Sequence, residues 1–116
     1  MTIGYHTITI KRGATWREAW TISGISDATG YSSRVDIRAD NDPSADLVLT
    51  LTNGNARTAL TIASGLKASH VISASDTTAL TAGTYAFDWF VTAPTGDVTC
   101  YLTGSVIVEQ SVAIDE

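Results

Sequence analysis

Among the side chains that could do chemistry, the two histidines come first. His6 and His70 stand in separate strand-like stretches, with no cysteine or paired carboxylates at the spacing a metal site needs. They read as strand histidines, exposed or hydrogen-bonded in place. The carboxylates Asp40, Asp42 and Asp46 could collect calcium, but their loop lacks the glycine and closing glutamate of an EF-hand, and a solvated turn is the simpler reading. No serine sits in a Gly-x-Ser-x-Gly elbow, so a Ser-His-Asp triad has no frame. Phosphate-cradling glycine patterns are absent as well. The single cysteine, Cys100, falls in an alternating strand and reads as a structural thiol. These residues predict no catalytic centre, no metal and no cofactor.

Asp88 is the more informative carboxylate. It lies in the strongest strand of the chain, where Tyr85, Phe87, Trp89 and Val91 share one face and Ala86, Asp88 and Phe90 the other. A carboxylate in so apolar a strand is expected to find a cation. Arg34 or Arg38, in the charged outer row of the third strand, is the expected partner in an ion pair on the sheet surface. Trp16, Trp20 and Trp89 could form a sugar-stacking platform, although their strand spacing favours core packing. Phe90, opposite Trp89, is expected to be an exposed apolar contact.

The elements that position these residues follow from composition and periodicity. The 116 residues show no break in composition and predict a single domain, 1–116. A chain of this size buries about two-thirds of its unfolded surface, enough for a core without a disulfide, which one cysteine cannot form. A net charge of −5 and a pI near 4.7 argue against nucleic acid as a partner. No apolar run approaches the roughly 20 residues that span a bilayer. Residues 1–4 have neither the charge nor the apolar run of a signal peptide, so synthesis and folding in a cytoplasm are expected.

Abundant Thr, Ser, Ala and Gly with little Glu and Lys favour strands and turns. Strands are predicted at 5–11, 15–22, 31–39, 47–52, 58–62, 66–72, 85–91, 98–103 and 104–109, with a helical turn at 73–80 capped by Ser73 or Ser75. Asn53-Gly54 marks a hairpin, and Gly104 reads as a bulge or kink. Ala39, Leu47, Leu49, Leu51, Leu60 and Ile62 are expected inward. Glu18, on the face of Trp16, Trp20 and Ile22, is expected near an edge or against a cation. Short strands separated by regular turns indicate an all-β, two-sheet antiparallel sandwich with one short helical turn.

The corner preceding the central strand sharpens this. Leu80-x-x-Gly83-x-Tyr85-x-Phe87 resembles the tyrosine corner of immunoglobulin-like domains, with Phe87 where an antibody domain carries its second cysteine. The structural residues of the corner are then Gly83 and Tyr85.

The order of motifs also resembles a module of tailed-bacteriophage virions. The opening Lys11-Arg12-Gly13-Ala14-Thr15-Trp16, the later Leu80-x-Ala82-Gly83-Thr84-Tyr85-x-x-Asp88, then Thr95-Gly96 and Gly104-Ser105-Val106-x-Val108 carry it. This pattern is similar to the N-terminal domain of upper baseplate proteins, and to the immunoglobulin-like domains of head-fibre and capsid decoration proteins. The resemblance implies a non-enzymatic virion structural protein, first of all a decoration or cement protein binding the assembled shell. A baseplate, tail or head–tail connector module is the alternative, and a carbohydrate-binding module a further one. Baseplate relatives continue into long helical regions while this sequence ends at Glu116, which favours the stand-alone accessory. The implied partners are other virion proteins, chiefly the major capsid protein, and copies of the chain itself; the implied location is the virion, after synthesis in the host cytoplasm. Expected contacts are Tyr5, His6 and Thr7 on an edge strand, Asp40, Asp42 and Asp46 in their loop, Phe90, and the C-terminal tail.

Overall fold

The computed structural model describes residues 4–40 and 44–110. In chain order these form β1 (Gly4–Lys11), β2 (Trp16–Ile22), β3 (Ser32–Arg38), β4 (Leu47–Thr52), β5 (Thr58–Ile62), β6 (Leu66–Ile72), α1 (Ala74–Thr78), β7 (Gly83–Thr92) and β8 (Val98–Glu109). Five strands make one sheet in the order β1-β8-β7-β3-β4, and three make the other in the order β2-β6-β5. The larger sheet gathers the strands that an immunoglobulin variable-type domain places beside its central hairpin, and the smaller those of the facing sheet. The fold is an immunoglobulin-like β-sandwich. Its pairings are antiparallel except for β1 against β8, which is parallel.

Alternation buries one face of each sheet against the other. Phe87, Trp89 and Val91 of β7 meet Ile8, Ile10, Val35, Ile37, Leu66, Ile72, Val106 and Val108 in one core. Trp89 is fully buried, and its indole N–H donates to Ser33 Oγ at 2.8 Å. Trp20 of β2 crosses the gap to stack on Phe87, ring centres 5.8 Å apart and planes 20° apart. That contact joins the sheets where antibody domains use a disulfide.

The corner forms as its residues require. Gly83 takes φ +154°, and the Tyr85 hydroxyl donates to the Thr81 carbonyl, pinning the start of β7 to the preceding turn. Just before it, Ser73 caps α1 by accepting from the Asp76 N–H. Buried Thr77 then donates to Ala14 O and accepts from Gly13 N, fastening α1 to the β1–β2 turn.

Several expectations are corrected. Gly104 is not a bulge. It pairs regularly with Phe87, and a Cβ there would fall 1.8 Å from His6 O, so its bare backbone is what lets β1 lie against β8. The β7–β8 register shifts instead between Trp89 and Phe90, leaving Tyr101 as the extra residue opposite that step. Val98–Glu109 is one strand rather than two. Leu47 and Ile62 are exposed, because Leu47 follows a register shift at Arg38 and Ile62 closes a short edge strand. Ala39 lies past the end of β3 and is exposed.

Two substitutions test these devices. Tyr85→Phe removes one hydrogen bond and should lower the free energy of urea unfolding by about 1 kcal/mol. Gly104→Ala forces β1 away from β8 and should cost about 1–3 kcal/mol. A Gly104→Ala protein as stable as the parent would remove the steric account of β1 docking.

Candidate functional site

A concavity opens where the sheets part beside β1 and β2. It is a cleft of about 800 Å³, walled by His6 on one side and Trp20, Ile22 and Ile25 on the other, over Tyr101. The shift at Trp89 is what lets neighbouring Tyr101 and Leu102 both line it. The Tyr101 ring packs on Trp89 with centres 5.6 Å apart.

Next to the cleft, joined through His6 and Trp20, a polar row crosses the small sheet. Thr58, His70 and Glu18 are register neighbours on β5, β6 and β2. Thr58 Oγ1 and His70 Nδ1 are 2.9 Å apart, and His6 Nε2 from β1 meets Glu18 Oε1 at 2.6 Å. The partner of Glu18 is therefore a histidine from the opposite sheet. His70 is 2% exposed, with the Trp20 ring centre 4.4 Å away. Burial depresses its pKa to about 4, so the ring is neutral at physiological pH. Neither His70 Nε2 nor Trp20 Nε1, both buried, has a hydrogen-bond partner among the described residues.

The residues singled out in the sequence are scattered. Tyr5 is 71% exposed on the outer face of the large sheet, where its hydroxyl meets Ser105 Oγ, and exposed Thr7 shares that face. His6 turns the other way, into the cleft, as alternation along β1 requires. Asp40 and Asp46 are exposed near one end of the sandwich; Asp42 and residues 111–116 lie outside the described residues. Phe90 is half-buried on the outer face between its register neighbours Arg34 and Cys100.

The Asp88 ion pair is not formed. Arg34 Nε donates to Asp36 Oδ1 at 2.7 Å, and Arg38 Nη1 to Ala45 O at 3.0 Å. The register explains it. Phe90 and Ala86 stand opposite Arg34 and Arg38, and Asp88 stands opposite Asp36, which takes Arg34 from within its own strand. Asp88 makes no ion pair among the described residues. Burial first, and then the Asp88 carboxylate, push the Cys100 thiol above its ordinary value, so it stays protonated at neutral pH. Among the described residues no three His, Cys, Asp or Glu side chains converge as a metal site. No helix among them is long and apolar enough to cross a membrane.

Sequence reasoning missed the cleft and its row of Thr58, His70 and Glu18. The only signal for it was Glu18 on an otherwise apolar face. Its partners come from strands far apart in sequence.

No protein-family model matches the chain, and no curated protein matches it. Among solved structures, the extracellular domain of the voltage-gated sodium channel β4 subunit, described as a parallel homodimer with a role in cell–cell adhesion, aligns with a TM-score of 0.43. The identity is 16%, over 97% of this chain and 98% of that one. Strand order and the tyrosine corner define the fold.

The buried histidine gives the protein a pH dependence. In the unfolded chain His70 binds a proton near its ordinary pKa of 6.5, and in the folded chain only near 4, so stability is complete above 6.5 and falls as pH drops toward 4. The full difference is about 3 kcal/mol. Glu18 and Thr58 flank the ring and remain in a His70→Leu variant. That variant should lose about 2 kcal/mol less than the parent between pH 7 and pH 4.5 in urea titrations. Parallel pH profiles would refute the assignment.

Proposed function

We propose that this protein is a non-enzymatic structural component of a bacteriophage virion that decorates or cements the assembled capsid shell. The observation that carries the reading is the outer edge of β1, with which nothing among the described residues pairs, and beside which Tyr5 and Thr7 are exposed. An unpaired strand edge is a template for main-chain pairing with a neighbouring chain. Repeated copies, each held weakly, gain avidity on a lattice of identical sites. The motif order of the opening and of the corner strand supports a phage setting. The partners in this reading are the major capsid protein and other copies of the chain, met in the virion after synthesis in the host cytoplasm. A sugar-stacking platform fits less well, because Trp89 is buried and Trp16 and Trp20 pack against the core.

Co-sedimentation of the purified protein with capsid shells, and separately with tails, tests the proposal. Saturable binding to shells at a fixed ratio to the major capsid protein is expected. A Tyr5→Ala, Thr7→Lys double variant should bind at least about tenfold more weakly. Binding only to tails would replace the decoration role with a baseplate or connector role, and binding to neither would overturn the virion reading.

A further inference from the structure

β2 ends the smaller sheet, and nothing among the described residues pairs with its outer edge. The strand is seven residues long, Trp16-Arg17-Glu18-Ala19-Trp20-Thr21-Ile22, with no proline or glycine to blunt it. β1 could have covered this edge but is committed to β8 on the other sheet. That commitment is also what parts the sheets and opens the aromatic cleft along β2. A sheet edge with a cleft on its inner side is fitted for one more strand.

We propose that the free edge of β2 receives an extended segment of a partner protein in which apolar residues alternate with acidic ones. Backbone pairing with β2 would supply affinity, and the alternation of side chains would supply selectivity. One set points inward, over Trp20, Tyr101 and Leu102, where apolar groups are favoured. The other set lies on the outer face of the small sheet beside Arg17 and Lys67. No carboxylate belongs to that face: its remaining residues on β2, β6 and β5 are Ala19, Thr21, Ser69, Val71, Ala59 and Thr61. Arg17 and Lys67 make no ion pair among the described residues, and the concavity between them is lined by Ala19, Ala56, Ala59, Ser69 and Val71, with His70 and Glu18, whose carboxylate is bonded to His6. In a chain of net charge −5 this is a locally basic face, and it selects acidic over basic neighbours. The edge of β5 is less suited, being five residues long and without the cleft. The inference stands independently of the virion reading.

The test uses the full chain and a capped heptapeptide, Asp-Val-Thr-Ile-Asp-Val-Thr, with a control carrying Lys for both Asp. Tryptophan fluorescence reports binding, and amide hydrogen exchange reports where it occurs. The acidic peptide should bind saturably, at least about tenfold more tightly than the basic one. It should slow exchange along Trp16–Ile22 and leave β5 unchanged. Arg17→Glu should reverse the preference between the two peptides, and Arg17→Ser should shrink it without abolishing binding. Absence of saturable binding at millimolar peptide, equal affinity for both peptides, or protection elsewhere would overturn the proposal. A concentration-dependent dimer whose β2 amides are already protected without peptide would overturn it too, in favour of a second copy at this edge.

Discussion

The structure depends on aromatic contact across the gap between its sheets. A sandwich holds only if its inner faces stay in register with each other, and antibody domains secure this with a covalent bridge. Here Trp20 reaches from the small sheet to Phe87 and Trp89 of the large one, with ring centres 5.8 and 5.1 Å away. Deleting a buried ring of this size typically costs about 3–5 kcal/mol, and deleting a native disulfide about 2–5. The two devices are comparable in strength, but their demands differ. Stacked rings need no oxidising compartment, and a protonated Cys100 with its Sγ–H toward Leu102 O offers no alternative bridge.

The same rings explain why a polar row can lie inside the sandwich. Thr58, His70 and Glu18 occupy neighbouring inward positions, where unpartnered polar groups would be costly. Each is partly satisfied: Thr58 by His70, and Glu18 by His6 from the opposite sheet. His70 stays neutral because Trp20 and Trp89 exclude water from it. Glu18 stands on an edge strand and is less deeply buried. The row thus grades from a buried imidazole to a half-exposed carboxylate across two strands.

Much of the fold was legible because its signals are local. Strands 47–52, 58–62 and 66–72 fall where alternation puts them, but Asn53-Gly54 closes no hairpin: it is the crossing from β4 in the large sheet to β5 in the small one. The corner was legible because Gly83 and Tyr85 lie within one turn of the Thr81 carbonyl. Features set by register between distant strands were not legible. The expected Asp88 ion pair failed because sequence shows which residues share a face but not which stand opposite; one step places Asp36 there instead of an arginine. Gly104 signalled something special, yet a bulge and a close backbone approach leave the same mark in a sequence. The cleft is the extreme case. It arises from the parallel docking of β1 on β8 and the extra residue at Tyr101, and neither leaves a periodic trace.

That docking also decides which backbone the molecule leaves open. Had β1 run beside β2, the small sheet would have four strands and a covered edge, Trp20 would be sealed, and Glu18 would lose its route to solvent. Gly104 favours the other choice by admitting the β1 backbone where any side chain would exclude it. Hydrogen bonds to β8 are gained, and the outer edge of β2 is left unpaired among the described residues. Most polar side chains that could act chemically are occupied within the sandwich: His6 by Glu18, His70 by Thr58, Arg34 by Asp36 and Arg57 by Asp76. What remains is main chain at the sheet edges and the basic outer face of the small sheet. Edge, cleft and charge coincide at β2.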